Sequence, residues 1–264
     1  MTDEPIILIH VLAKDKEGLL DHWLKTQLDE IDYPKKNIAL LIRTNDNKDR
    51  TYYQLRNWIN KQYDDDGESL WFDIQFGSSS VDESLKQYDV HEWNSHRFKV
   101  LGALRQEGID WAILNGYDYY YTCDVDNFVK PDTLKQLVSY NLPVVAPLIR
   151  YAVGKEEHKP YANYHNIASE RGYYLDNPAY YQILNGSVKG LIKCDVVHCT
   201  YLIRGDWFNY VDYVDDTQDY EYVIFSRNLR NHGIKQFLDN TQVYGYLSMK
   251  EDVKAIQKKM KELQ

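Results

Sequence analysis

Only three cysteines occur in 264 residues, Cys123, Cys194 and Cys199. They are an odd number, lack metal-ligand spacing and sit among apolar neighbours. Neither a disulfide framework nor a thiolate zinc site is expected, and the thiols read as buried in a reducing compartment. Positive charge is also short: 31 Lys and Arg stand against 40 Asp and Glu, a formal net charge of −9. Such a chain lacks the diffuse attraction that nucleic acid or an anionic membrane would need. An anionic substrate has to be met by local cations or a bound metal. Long hydrophobic runs are missing too. The first, "IILIHVL", follows acids rather than bases and reads as a β-strand, not a signal peptide, and nothing later is long enough to cross a bilayer. With no signal, span or retention sequence in view, the expected location is the cytoplasm.

What is present alternates strand and helix patterns. "IILIHVL" and "NIALLIRTND" are continuous apolar runs of the kind buried in a parallel sheet, and "LLDHWLKTQLDEI" between them has apolar residues at helical spacing, so the chain opens as βαβ. Helices are expected over "DRTYYQLRNWINKQY", over "RFKVLGALRQEGIDWAILNG", after Pro131 and over "DYEYVIFSRNLRNHG", with Gly233 as the last one's cap. Strands are expected over "SLWFDIQF", "YDYYYTC", "LPVVAPLI", "VVHCTYLIR" and "IKQFLDNTQVYGYL". The polar stretch 77–92 reads as a mobile loop. Residues 150–193, where periodicity fades, read as a functional excursion too long for an ordinary connection. The charged tail helix "KEDVKAIQKKMKELQ" suits packing on the domain or on a second copy in a homodimer. The fold class is α/β, a mainly parallel sheet flanked by helices in a single domain.

The stretch "YYYTCDVDNFVKP" sets Asp124 and Asp126 one residue apart at the end of an aromatic strand. In open parallel sheets ligands bind beyond the carboxyl ends of strands. Two carboxylates on one side of an extended chain suit a hard cation such as Mn²⁺ or Mg²⁺ that also holds substrate phosphates. The plainer reading of the triplet alone is two acids in a turn. "VDDTQD" leads into a helix whose dipole favours acids, and Glu221 near that helix start is either a general base for a hydroxyl or a surface acid. His198, isolated in an apolar strand, is a third metal ligand, a diphosphate contact or a hydrogen-bonded core residue. Lys14 follows the first strand and has the reach for a phosphate. Arg97 and Arg105, eight apart on one helix, share a face and either contact nucleotide or pair with acids. Tyrosine is abundant, 24 of 264, and its clusters in "YANYHN", "GYYLDNPAYY" and "YLIRGDWFNYVDY" offer ring faces to sugars. Tyr161, Asn163, Tyr174 and Trp207 are the candidates for holding sugar and acceptor.

Taken in order, "HVLAKDKEGLL", "RTNDNKDRT", "RFKVLGALRQ", "YYYTCDVDNFVKPDTL", "PVVAPL", "YANYHN", "GYYLDNPAYY", "VVHCTYLIR", "YEYVIFSRNL" and "VYGYL" cover most of residues 6–247. In that order they resemble the collagen β-galactosyltransferase family and, less closely, the glycosyltransferase domain of multifunctional lysyl hydroxylases. The resemblance implies a GT-A fold over residues 1–247, with a nucleotide-sugar half (1–130) and an acceptor half (131–247), followed by a C-terminal helix (248–264). It implies a UDP-sugar-dependent hexosyltransferase using Mn²⁺ or Mg²⁺, which passes galactose or glucose to hydroxylysine of a collagen-like protein or to a glycan, with inversion expected. The alternatives are retaining transfer and a non-catalytic nucleotide-sugar or glycan-binding domain. The family's DxD falls on Asp124 and Asp126. Its acid after the acceptor loop falls on Glu221, and its preceding acid is Tyr220 here, which leaves the base between Glu221 and Asp219. Donor-side positions fall on Lys14, with Ala13 beside it, and on Asp46, Arg97 and Arg105.

Overall fold

The computed structural model describes residues 4–79, 95–152, 161–248 and 252–263. In chain order the strands are β1 (Ile7–Leu12), β2 (Ile38–Asn45), β3 (Asp73–Ser79), β4 (Tyr119–Cys123), β5 (Asn127–Val129), β6 (Val144–Pro147), β7 (Ile149–Tyr151), β8 (Tyr164–His165), β9 (Leu191–Cys194), β10 (Val196–Val197), β11 (Thr200–Arg204), β12 (Gln236–Asp239) and β13 (Gly245–Leu247). The helices are α1 (Leu20–Trp23), which widens into a π turn through Asp29, α2 (Thr51–Ile59), α3 (Ser95–Asn115), α4 (Thr133–Ser139), α5 (Pro178–Asn185), α6 (Glu221–Asn231) and α7 (Val253–Lys261). The stretch read as a mobile loop, 77–92, ends β3 at Ser79 and otherwise lies outside the described residues.

Eight strands form one sheet in the order β3-β2-β1-β4-β11-β6-β12-β9. The first four are parallel, as the continuous apolar runs require; β11 is antiparallel to both its neighbours, β12 is parallel to β6, and β9 closes the edge antiparallel. Side chains alternate across the pleat. Ile7, Ile9 and Val11 therefore face the layer made by α1, α2, α4 and α7, while Leu8 and Tyr120 face the layer made by α3, α5 and α6. Each layer is a buried apolar cluster, and together they cover both faces of the sheet.

Three expected strands are each two. "LPVVAPLI" divides at Leu148 into β6 of the main sheet and β7 of a three-stranded sheet with β13 and β5. "IKQFLDNTQVYGYL" divides likewise into β12 and β13, and "VVHCTYLIR" into β10, paired with β8, and β11. The excursion holds β8, α5 and β9; α5 is capped by Asn177 and starts at Pro178, a local signal that sequence periodicity did not reveal. The tail helix packs on its own domain: Ile256 is fully buried in the cluster under β1, joined by Val253 and Met260. The homodimer reading thus gains no support from this helix.

Helix α3 crosses the sheet at close range. Its buried face carries Gly102, Arg105, Gly108, Ile109 and Ala112, at the three- and four-residue spacing of one side of a helix. A β-carbon on Gly108 would lie 2.2 Å from Nδ1 of His10 and 2.8 Å from the Tyr120 ring. His10 donates to or accepts from the Tyr120 hydroxyl at 3.0 Å, and burial first, then the fields of Arg105 and Arg43, lower its pKa to about 3, so it stays neutral. Gly108→Ala is therefore expected to push α3 off the sheet and cost about 1–3 kcal/mol, read as a lower urea midpoint with an unchanged slope.

Candidate active site

The carboxyl ends of β1, β2 and β4 converge with the start of α6. After β1, Lys14–Glu17 form a loop in which Asp15 has φ 50°, and after β2 Asp46 has φ 44°. The two loops latch onto each other. The N–H of Asp15 donates to Asn47 Oδ1 (3.0 Å), the N–H of Lys48 to Asp15 Oδ1 (2.6 Å), the N–H of Glu17 to Asp49 Oδ2 (2.9 Å), and the N–H of Lys16 to Thr51 Oγ1 (2.7 Å). Ala13 is buried, and its N–H donates to the Arg43 carbonyl at 3.0 Å. Ala13, Lys14 and Asp46 therefore sit together on a pre-shaped rim.

Asp124 and Asp126 follow β4 directly, and both side chains are about 30% exposed. The N–H of Asn127 donates to the Asp124 carbonyl (2.8 Å), closing a turn, and the N–H of Ser248 donates to the Asp126 carbonyl (2.8 Å), tying that turn to the chain after β13. Lys16 Nζ lies 3.8 Å from Asp126 Oδ2. Arg105, 3% exposed, reaches the other carboxylate: NH2 donates to Asp124 Oδ1 at 2.7 Å and NH1 to Thr122 Oγ1 at 2.7 Å. Its Nε lies 3.7 Å from Glu221 Oε1. Of the two readings for Arg105, pairing with acids is the one observed. Arg97 lies in the first turn of α3, next to Phe98, whose ring packs 4.1 Å from that of Tyr220.

Glu221 opens α6 and is 6% exposed. Burial raises its pKa; Arg105 opposes the rise and the charge of Asp124 adds to it. Asp219, 4% exposed, is in a different position. Oδ1 accepts from Arg171 (2.7 Å) and from the Tyr173 hydroxyl (2.7 Å), and Oδ2 accepts from Arg227 (2.7 Å). Burial alone would raise its pKa, but these bonds outweigh it and hold the group below the ordinary range. Asp219 is a fastener between the tyrosine-rich excursion and α6.

His198 sits between β10 and β11, where Cys199 takes φ 67° and the N–H of Thr200 donates to the His198 carbonyl (2.7 Å), a γ-turn. The N–H of Asp124 donates to the Cys199 carbonyl at 3.1 Å, so this turn abuts the aspartate pair. The His198 ring lies 4.9 Å from Tyr222, 5.5 Å from His165 and 5.6 Å from Tyr161. Burial drives both imidazoles to the neutral form, His165 to about 4, and among the described residues neither His198 Nε2 nor His165 Nδ1 has a hydrogen-bond partner. Among the described residues no three His, Cys, Asp or Glu side chains converge on one metal position, so His198 is not gathered with Asp124 and Asp126 into a ready-made triad.

The acceptor-side candidates scatter. Tyr161 flanks His198, and Tyr174 packs 5.3 Å from His165 with its hydroxyl donating to Asp176 (2.9 Å). Asn163 is fully buried and structural: Oδ1 accepts from the N–H of Ile149 (3.0 Å), and Nδ2 donates to the Pro147 carbonyl (2.8 Å). Trp207 lies in a 3-10 turn whose Gly205 N–H donates to the Asp118 carbonyl, at the amino end of β4. That is the opposite end of the strand from Asp124, about 20 Å away at the rise of an extended chain. The structure does not bring Trp207 to the site. Sequence reasoning missed Lys16, Thr122, His165 and Tyr222; only Lys16, in the same loop as Lys14, carried a local signal.

The architecture, with strand-end carboxylates in the crevice of a mixed sheet, is that of GT-A glycosyltransferases. The profile of the glycosyltransferase family 25 N-terminal domain matches residues 4–264, and the chain belongs to that family. It is 30% identical to procollagen galactosyltransferase 1-B of Xenopus laevis over 92% of this chain and 39% of that protein. It is 27% identical to the probable inactive glycosyltransferase 25 family member 3 of Bos taurus over 93% of this chain and 41% of that protein. The chain thus spans about two fifths of the length of these relatives. A crystal structure of S. aureus TarS in complex with UDP shares the fold at 13% identity and a TM-score of 0.55, over 92% of this chain and 60% of that one. Among the described residues no helix is long and apolar enough to cross a membrane.

Because the folded pKa of Asp219 is depressed, its stabilising contribution is complete above the unfolded value of about 3.9 and is lost as pH falls through the folded one. Asp219→Asn is expected to cost about 2 kcal/mol at pH 7. In thermal melts the gap between wild type and variant should close as pH drops below about 4.

Proposed function

We propose that this chain transfers a hexose, galactose or glucose, from a UDP-sugar to a hydroxyl acceptor with inversion at the anomeric carbon. The observation that carries the reading is the linkage of two kinds of carboxylate by one guanidinium: partly exposed Asp124, two residues before Asp126 at a strand end, and buried Glu221 at a helix start. Support comes from membership of family 25, from the galactosyltransferase relatives and from the fold shared with UDP-bound TarS.

Asp124 and Asp126 would hold Mn²⁺ or Mg²⁺. Their donor set fits: oxygen-only, partly exposed, with Arg105 engaging only Oδ1 of Asp124. When bound, such a cation supplies positive charge to the diphosphate leaving group. The latched loops carrying Ala13, Lys14 and Asp46 are assigned to the nucleotide, so the donor half runs to about Lys130 and the acceptor half beyond it. In the reaction the acceptor oxygen bonds to sugar C1 as the bond from C1 to the UDP oxygen breaks, and the acceptor proton passes to the Glu221 carboxylate. The raised pKa makes Glu221 a stronger base than an ordinary glutamate. Asp219, held ionised by three donors, is assigned no proton. Tyr161, Tyr174 and Tyr222 are assigned to the acceptor side, where a hydroxylysine-type hydroxyl of a collagen-like protein, or a glycan, would enter.

Screening UDP-hexoses for UDP release, with Mn²⁺ or Mg²⁺ and with chelator, tests the donor and the cation together. Asp126→Asn is expected to lower turnover at least about 100-fold in a folded protein; full activity in chelator would overturn the cation assignment. Glu221→Gln is expected to lower kcat by about 10²–10⁴ and to remove an ascending pH limb that lies above the ordinary glutamate range. A product of retained anomeric configuration by NMR, with Glu221→Gln nearly fully active, would replace inversion by retention. UDP-sugar binding in calorimetry with no turnover on hydroxylysine peptides or saccharides would mark a binding module, as in relatives named inactive.

A further inference from the structure

Among the described residues Arg105, 3% exposed, is the most deeply buried cation beside the aspartate pair, and its nitrogens are turned to protein partners. Three of its nitrogens are committed, one to Thr122, one to Asp124 and one facing Glu221. Removing a guanidinium from water costs several kcal/mol unless its partners are well placed, so this arrangement persists only with both carboxylates in position. The approach is built into α3. A β-carbon on Gly102 would meet the Tyr213 carbonyl at 2.6 Å and Cβ of Glu221 at 3.5 Å, and one on Gly108 would meet His10. Glycine on either side of Arg105 lets the helix come close enough for a planar fork to span a strand end and a helix start. A lysine has the charge but not the fork.

We propose that Arg105, anchored by Thr122, is the positioning residue of this site: it holds one oxygen of Asp124, turns the other toward a divalent cation, and fixes Glu221 relative to that cation. This rests on the cation assignment made above and adds to it a buried element turned to protein partners. Carboxylates that ligate metals depend on hydrogen bonds from such neighbours, and losing one typically weakens the metal about 10–100-fold. Lys16 offers Asp126 a more exposed counterpart at 3.8 Å.

The test is Mn²⁺ binding by the full chain in calorimetry without nucleotide, for wild type, Arg105→Lys and Thr122→Val, with circular dichroism as the check on folding. Arg105→Lys keeps the charge and loses the fork; it is expected to weaken Mn²⁺ about 10-fold or more. Thr122→Val keeps the shape and touches neither carboxylate, so it serves if the lysine variant does not fold; a smaller loss, about threefold, is expected. Kinetically both variants should lose kcat at saturating Mn²⁺ while KM for the UDP-sugar stays within about twofold, because Glu221 is displaced and the nucleotide rim is not. Folded variants that bind Mn²⁺ as tightly as wild type, with kcat unchanged, overturn the proposal. Wild-type protein that binds no Mn²⁺ is a different failure: it removes the cation assignment itself, and this inference with it.

Discussion

A single buried guanidinium between two carboxylates sets the terms for the rest of the site. Arg105 comes from α3, Asp124 from the end of β4 and Glu221 from the start of α6, so three elements distant in sequence are fixed against one another by charge-assisted contacts. In a low-dielectric interior such contacts are costly to break, since removing one partner leaves the other buried and unpaired. The constraint reaches outward. Arg105 can sit there only if α3 lies close to the sheet, which requires Gly108 under His10 and Tyr120, and Gly102 under the Tyr213 carbonyl. The small residues of α3 thus serve the same end as its one buried charge.

A second constraint lies at Cys199. A non-glycine residue at φ 67° costs of order 1–3 kcal/mol and persists where surroundings fix it. Here they do. The Cys199 carbonyl accepts from Asp124, Asn127 Nδ2 donates to the Thr200 hydroxyl at 2.8 Å, and the N–H of His198 donates to the carbonyl of Asn163 at 3.1 Å. Asn163 in turn pins the chain at Ile149 and Pro147. The turn breaks what would be one strand, sends β10 to pair with β8, and sets His198 among Tyr161, His165 and Tyr222. The same backbone bonds that secure the aspartate turn therefore shape the aromatic side of the crevice.

The parallel half of the fold was legible because its signals are local: "IILIHVL", "NIALLIRTND" and "YDYYYTC" are long enough apolar or aromatic runs to fix strands, and strand ends locate the crevice. Asp124 and Asp126 followed from that placement. Arg105 was identified with two alternatives, and only the packing of α3 on β4 decides between them. The split strands were read as single ones because their apolar residues run on across the break, as in Val144–Ile149, although Pro147 before Leu148 and the polar Asp239–Thr241 between β12 and β13 mark where the chain leaves the main sheet. Asn163 and Trp207 lie in aromatic stretches that look alike in sequence; one is consumed by backbone hydrogen bonds and the other falls at the far end of β4. His165 passed unnoticed because its partners, His198 and Tyr222, are brought to it only by the turn at Cys199.

Asp219 and Glu221 show how little residue type decides. Two residues apart, both nearly inaccessible, they have opposite environments. Asp219 receives Arg171, Arg227 and the Tyr173 hydroxyl, so its negative charge is compensated and its oxygens are occupied. Glu221 has one cation at 3.7 Å, which it shares with Asp124, and burial works against its charge. A fully compensated carboxylate resists protonation and holds structure; an under-compensated one gains by accepting a proton. Tyr220, between them, brings to this turn a ring that packs on Phe98 and lies 5.5 Å from the ring of Tyr222. Within this turn, then, Asp219 is committed to structure, Tyr220 has no carboxylate, and Glu221 is the acid whose surroundings favour taking up a proton.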